Sequence, residues 1–339
     1  MSVAFELKPP QAIAEDSLAK LLREVQRPPD GVPPRLWNRS LAGPVSEFLN
    51  RPGKQFRGRL VELAWTLAGR TDNPPPSLPL LVELLHAGSL VVDDIEDQSI
   101  QRRGQSALHR MVGIPVALNV GNWLYFWPLT LLSDLNLCPT VELQLHRLFV
   151  DAIRRCHEGQ ALDLSARIGD LHPAEIAPLV HLISAWKTGS LMALAAGIGA
   201  AAAGAPPELV ATLSRFGERV GVGLQMQNDL SELTGAAGPI KHPEDLVHGR
   251  VTWPWAWSSR RLPAWVFDAL QVRGARLSDG SGDAGAVARE LRESLGPDPT
   301  HPVREWLSTA VEDLEKKVGA HPALGKIKSE IFRLETRYA

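Results

Sequence analysis

The stretch Leu84-Leu-His-Ala-Gly-Ser-Leu-Val-Val-Asp-Asp-Ile-Glu-Asp97 decides how this chain is read. Nine mostly apolar residues without a turn signal predict a buried helix, which ends in the carboxylates Asp93, Asp94 and Asp97. A helix turns about 100° per residue, so Asp97 falls about 40° from Asp93, between it and Asp94. Carboxylates crowded on one face repel each other and resist desolvation unless a cation binds among them. Hard oxygen ligands in an open cluster suit Mg²⁺, which keeps several waters and takes further ligands from substrate phosphates. The plain alternative is a solvated acidic face. It fits poorly, because the preceding residues are apolar and Arg102 and Arg103 follow closely. The pattern points to a metal–diphosphate site.

The chain has 339 residues, 44% hydrophobic and 22% charged, enough for an ample core in a soluble globular protein. A net charge of −2 leaves no electrostatic footprint for nucleic acid, so any attraction for phosphates is local. Cys138 and Cys156 show no paired spacing and read as buried small side chains in a reducing, cytoplasmic setting. The N-terminus shows no basic segment followed by an apolar one, so no signal peptide is expected. Residues 116–132 and 190–204 are strongly apolar. The first is interrupted by Asn119, Asn122 and Pro128, and the second is short and rich in Ala and Gly. Both are expected to be core helices, with no transmembrane segment.

Breakers at 27–34, 71–77, 235–239, 278–285 and 296–302 separate long segments with a period near 3.6. Helices are expected over 80–100, 141–167, 173–203 and 207–234, with amphipathic ones at 290–295, 303–318 and 324–338. The signals at Pro139-Thr-Val-Glu and Thr300-His-Pro mark helix starts. Trp253, Trp255, Trp257 and Trp265 read as packing residues. No loop is long enough to be a linker. The expectation is an all-α bundle in a single domain over 1–339, with the site in a core of about 50–255 and C-terminal helices over 256–339.

The basic counterpart of the acidic cluster comes in two pieces. Lys54 and Arg57 stand one turn apart at a helix start, where side chains and free backbone N–H groups can grip a diphosphate. Basic residues at helix starts are common, and alone the pair reads as no more than that. Arg102 and Arg103 are adjacent, so they point to different sides and serve different anions. His86 lies seven residues before Asp93, on nearly the same helix face.

Together these residues resemble the trans-prenyl diphosphate synthases (polyprenyl synthetases), most closely the geranylgeranyl diphosphate synthases of the eukaryotic type. Gly53-Lys-Gln-Phe-Arg57 resembles that family's GKxxR, and Asp93-Asp94-Ile-Glu-Asp97 with Arg102, Arg103, Gly104 and His109 its first aspartate-rich motif. Asn119-Val-Gly-Asn-Trp-Leu-Tyr-Phe126 is similar to its NxxNYxYF helix. His157-Glu-Gly-Gln160 with Asp163, and Lys187-Thr188-Gly189, match further stations. The resemblance covers most of residues 50–255 and implies an all-α fold of the isoprenoid synthase type with a central cavity. It also implies a homodimer and a Mg²⁺-dependent prenyltransferase acting on an allylic diphosphate and isopentenyl diphosphate.

By this resemblance, Mg²⁺ bridges the allylic diphosphate to Asp93, Asp94 and Asp97, while Arg102 and Lys187 hold its phosphates. Gln225 and Asp229 belong to the same catalytic set, with Thr188 and Arg250 contacting substrate. Lys54, Arg57, His86 and Arg103 hold isopentenyl diphosphate, whose double bond attacks the allylic cation. Product length is implied to depend on the residues below the acidic cluster. Gly88 and Ser89 are small and leave a tunnel open, favouring a C20 product. Trp123, with Tyr125, Phe126 and Trp127, either closes that tunnel lower down or packs elsewhere.

The second aspartate-rich motif departs from the family pattern. Leu224-Gln225-Met-Gln-Asn228-Asp229-Leu-Ser-Glu232 stands where FQxxDDxxD is usual, leaving Asn228, Asp229 and Glu232 as the expected ligands. Glu244-Asp245-Leu-Val-His-Gly-Arg250-Val-Thr-Trp-Pro254 has Arg250 in place of Lys, a larger planar donor. Asn228-Asp229-Leu230 also resembles the start of a terpene-cyclase motif, but Glu232 stands where a hydroxyl is wanted. A non-catalytic partner subunit is a third reading, and it predicts lost ligands where acidic ones remain.

Overall fold

Apolar residues at three- and four-residue spacing become helices throughout the computed structural model, which describes residues 10–53, 55–234 and 244–338. The architecture is all-α, and a two-stranded hairpin is the one sheet among the described residues. Residues 1–9, Lys54 and the breaker expected at 235–239 lie outside them. Contacts divide the chain into two compact units, 1–148 with 198–206, and 149–197 with 207–339.

In the first unit, α1 (Pro10–Val25), α2 (Pro34–Trp37), α3 (Gly43–Leu49) and α4 (Phe56–Leu67) precede α5 (Ser77–Glu96). The hairpin β1 (Gln101–Arg102) and β2 (Gln105–Ser106) follows, then α6 (Leu108–Val112) and α7 (Ile114–Ser133). Helix α5 buries Leu78, Leu81, Val82, Leu85, Gly88 and Val91, a helical stripe, and packs along α7 through Ala117, Val120, Gly121 and Leu124. The two helices cross where neither has a side chain. A Cβ on Gly88 would stand 2.9 Å from both the Gly121 carbonyl oxygen and the Leu124 Cβ. Gly88 is therefore filled by α7, and it does not open a tunnel as the sequence suggested.

The acidic helix ends earlier than expected. Glu96 is its last residue, because Gln98 adopts a left-handed φ of 53°. The chain then turns into the hairpin, pairing Arg102 with Gln105. Arg103 (φ 54°) and Gly104 (φ 78°) form its two-residue turn, with the positive φ at both positions that a type I′ turn demands. Glycine meets that demand freely, whereas the left-handed conformation costs Arg103 roughly 1 kcal/mol.

The second unit holds most of α8 (Pro139–Ser165), α9 (Pro173–Ile183), the first part of α10 (Ser190–Ala202), then α11 (Pro207–Thr234), α12 (Glu244–Val247) and α13 (Trp253–Arg261). It continues through α14 (Ala264–Ala275), α15 (Ala284–Leu295), α16 (His301–Val318) and α17 (Pro322–Tyr338). The helix expected over 173–203 is broken by a π-turn at Ser184–Gly189, which carries Lys187 and Thr188. Helix α15 begins well before the expected 290, because Asp283 caps it by accepting from the Ala286 N–H. Trp253, Trp255 and Trp257 are core residues, but Trp265 is 76% exposed and packs nothing of that kind. Cys138 also departs from expectation, being exposed, while Cys156 is half-buried. The run Pro173–Ala202 is long and apolar enough to cross a membrane by length and composition, and 61% of its most apolar window is buried in the protein.

Candidate active site

In the first unit, burial decides the state of the acidic cluster. Asp94 is 1% exposed and its neighbour Asp93 is half-buried. Arg102 reaches back from the hairpin and donates through Nε to Asp94 Oδ1 at 2.7 Å, with a second contact from Nη2. The same guanidinium lies 3.6 Å from Asp93 Oδ2. Burial pushes the Asp94 carboxyl up, against the pull of the Arg102 hydrogen bond and charge. Asp97 caps α5, its N–H donating to the Asp93 carbonyl at 2.8 Å. The sequence assigned Arg102 to substrate phosphate; the structure engages it with Asp94 and Asp93.

The other oxygen of Asp94, Oδ2, is buried without a hydrogen-bond partner. An orphaned carboxylate oxygen beside two further carboxylates fits a hard divalent cation. Among the described residues no three ligand groups converge to enclose a metal unaided.

The basic side gathers close by in the same unit. Arg57 starts α4, Arg103 comes from the hairpin turn, and His86 from α5. Burial, reinforced by the charges of Arg57, Arg103 and Arg102, holds His86 well below its usual pKa, so its imidazole is neutral at pH 7. Burial and the neighbouring Arg102 and Arg51 likewise lower Arg103, against an opposing pull from Glu83. A pocket opens here, lined by Arg51, Gly53, Gln55, Glu83 and Arg103, with Leu84 and Ala87 as apolar wall. The α4 N-terminus is only partly open to an anion, because the Gly58 N–H donates to Glu83 at 2.9 Å.

Ser89 is half-buried, and its hydroxyl donates to the His86 carbonyl at 2.8 Å. Trp123 stacks on Trp127 with centroids 4.3 Å apart, both packed against the core that includes Leu21, Leu22 and Leu124. Phe126 is 66% exposed, so of the aromatic residues expected to close a tunnel it closes nothing within this unit.

In the second unit the predicted residues fall into two bonded groups, one through Asp163 and Asp245 and one through Gln225 and Asp229. Lys187 Nζ donates to Asp163 Oδ2 at 2.7 Å. Arg250, 7% exposed, lies 3.1 Å from Asp245 Oδ1 and 3.8 Å from Asp163 Oδ2. Both contacts are made by one nitrogen, Nη1. Thr188 donates to Gln225 Oε1 at 2.7 Å, and Gln225 Nε2 donates to Asp229 Oδ1 at 2.8 Å. Asp229 Oδ2 accepts from the Trp253 N–H at 2.9 Å, and Glu232 Oε1 from the Asp245 N–H at 3.0 Å. Burial and the nearby Asp245 charge push Asp229 up to about 8 and Glu232 up to about 9. Asn228 is exposed on α11. Thus Thr188, Gln225 and Asp229, read as substrate or metal contacts, here bond to one another, and Arg250 lies on Asp245 and Asp163.

Residues 38–263 match the polyprenyl synthetase family profile. The chain belongs to the polyprenyl synthetase family. It is 31% identical over 229 residues to the geranylgeranyl pyrophosphate synthase of Eremothecium gossypii, covering 65% of this chain and 71% of that one. It is 29% identical over 219 residues to geranylgeranyl pyrophosphate synthase penG of Penicillium crustosum, covering 64% of this chain and 61% of the relative. Among solved structures, this polyprenyl synthetase is similar to a decaprenyl diphosphate synthase from Rhodobacter capsulatus. The TM-score is 0.79 at 23% identity, over 97% of this chain and 98% of the other. The all-α isoprenoid synthase fold follows from that likeness.

Proposed function

We propose that the protein is a trans-prenyltransferase that condenses an allylic diphosphate with isopentenyl diphosphate to give geranylgeranyl diphosphate (C20). The observation that carries this reading is the presence, within one unit, of the Asp93, Asp94 and Asp97 cluster and of a basic group in which His86 feels the charges of Arg57, Arg103 and Arg102, beside a pocket that Arg103 lines. An enzyme that only ionises and cyclises an allylic diphosphate has no use for a second diphosphate pocket. The names of the curated relatives support the C20 product.

Arg57, neutral His86 and Arg103 bind the diphosphate of isopentenyl diphosphate and fix the position of its double bond. Asp93, Asp94 and Asp97 hold Mg²⁺, with Asn228, Asp229 and Glu232 the ligands proposed in the second unit. When bound, the ion supplies neutralising charge for the departing diphosphate. Arg102 balances the acidic cluster and, as a long flexible cation, is placed to hold phosphate; Lys187 does the same in the second unit. Lys54 belongs to the isopentenyl side by its position in the motif. No side-chain nucleophile is needed, because the π-electrons of the alkene form the new C–C bond and the proton then lost passes to the diphosphate.

Ser89 remains the residue proposed to set chain length, with Trp123 packed and Gly88 at the helix crossing. The family match runs across both units, which supports reading 1–339 as one functional domain. An apolar stripe on α7, with Ile114 54%, Leu118 40% and Phe126 66% exposed, supports a homodimer. The largely buried Pro173–Ala202 run supports a core helix over a membrane span, hence a cytoplasmic enzyme.

The test is a product assay with Mg²⁺ and farnesyl diphosphate, with and without isopentenyl diphosphate, read by mass spectrometry. A C20 diphosphate formed only with isopentenyl diphosphate is the expected result. A hydrocarbon or alcohol formed without it identifies a cyclase, and no product at all points to a partner subunit. In the same assay Ser89→Phe is expected to shorten the product.

A further inference from the structure

Arg51 stands two residues before the basic motif and borders the pocket, yet its charge is taken up by protein acceptors. It is 3% exposed, and its guanidinium nitrogens are engaged by protein acceptors. Nε donates to Glu47 Oε1 at 3.0 Å and Nη2 to Glu47 Oε2 at 2.9 Å. Nη1 donates to the Arg102 carbonyl at 3.1 Å, while Nη2 also reaches the Ser106 carbonyl at 2.9 Å and Met111 Sδ at 3.4 Å. The two carbonyls belong to the two strands of the hairpin, one before and one after its turn.

The turn carries Arg103, and it too is tied to this corner. Arg103 Nη1 donates to the Arg51 carbonyl at 3.4 Å. The guanidinium carbons of Arg51 and Arg103 stand 5.2 and 5.7 Å from the centroid of the fully buried Phe48 ring. Gly53 leaves the space the Arg103 guanidinium uses, since a Cβ there would come within 3.3 Å of it. A two-stranded hairpin is marginal alone, and this one holds a non-glycine residue at positive φ, so it needs an external brace.

We propose that Arg51 is a positioning residue of the isopentenyl diphosphate pocket: bridging Glu47 to both strands of the 101–106 hairpin, it holds the turn that presents Arg103. This rests on the reading of Arg103 as a diphosphate contact. Only a guanidinium reaches all these acceptors at once. Lysine keeps the charge but lacks the fork.

The test compares Arg51→Lys with wild type in steady-state kinetics and in amide hydrogen exchange over residues 100–107. Exchange in that segment is expected to quicken, and KM for isopentenyl diphosphate to rise about tenfold, the loss of one or two charge-assisted hydrogen bonds. The kcat and the KM for the allylic diphosphate are expected to stay within about twofold. In an Arg103→Ala background Arg51→Lys should add less than about twofold to that KM, because its effect passes through Arg103. Glu47→Gln, which keeps the side-chain shape, should give a smaller rise of the same kind. An unchanged KM, an equal rise in both backgrounds, or unchanged hairpin exchange overturns the proposal. If Arg103→Ala itself leaves KM untouched, the reading of the pocket has failed instead, and hairpin exchange still reports whether Arg51 is the brace.

Discussion

The two carboxylate clusters of this polyprenyl synthetase are neutralised in opposite ways. At the end of α5, the buried Asp94 has a cation against it: Arg102 donates to it and lies near Asp93. On α11, Asp229 and Glu232 are surrounded by neutral donors, the Gln225 amide and the backbone N–H groups of Trp253 and Asp245. Lys187 and Arg250 lie instead on Asp163 and Asp245. The α5 cluster is balanced by the Arg102 guanidinium. The α11 pair is balanced by retaining protons. Desolvation drives both arrangements, and the position of the nearest guanidinium decides which one results.

Asp93→Ala breaks the comparison most severely. If the α5 cluster holds the metal, turnover should fall about a thousandfold or more, read by product formation at saturating Mg²⁺. Near-normal turnover would remove the cluster from the chemistry.

Arg102→Met should leave Asp94 buried without its cation, lowering stability by about 3 kcal/mol in urea denaturation. Adding Asp94→Asn should recover much of that loss. No recovery would mean that the two residues are not balancing each other.

The α11 pair predicts the pH dependence. Asp229 and Glu232 titrate near 8 and 9 in the folded chain but near ordinary carboxylate values when unfolded. Between those limits the folded state holds more protons. Their contribution is therefore complete at low pH and is lost as pH rises through about 8 to 9. Denaturation midpoints in EDTA should fall from pH 5 to pH 9, and Asp229→Asn should flatten the decline. A slope unaffected by that substitution would assign it elsewhere.

The smallest effect is expected from Asn228→Asp. Residue 228 is exposed, so the new carboxylate is readily hydrated, and activity should stay level or rise up to about threefold. A large loss would show that Asn228 serves a specialised role.

Much of this was legible in one dimension. The periodicity of α5, α7, α11 and α16 requires amphipathic helices whatever the packing, and the residue types at 53–57, 86, 93–103 and 187–189 name a diphosphate and a hard cation by their chemistry alone. Glu47 and Arg51 were visible only as an i,i+4 pair, a spacing too common to mark as functional. The hairpin was hidden because its strands are two residues long, and its Arg103-Gly104 turn lacks the usual Asn or Asp.

What the tertiary structure alone decided is each side chain's partner. It placed Gly88 against Gly121, Arg102 on Asp94 and Arg250 between Asp163 and Asp245, and it gave Asp229 the neutral donors Gln225 and the Trp253 N–H. Sequence spacing determines which residues share a helix face, because helical geometry is local. Burial, charge compensation and pKa depend on atoms far apart in the chain, so only the packed structure sets them.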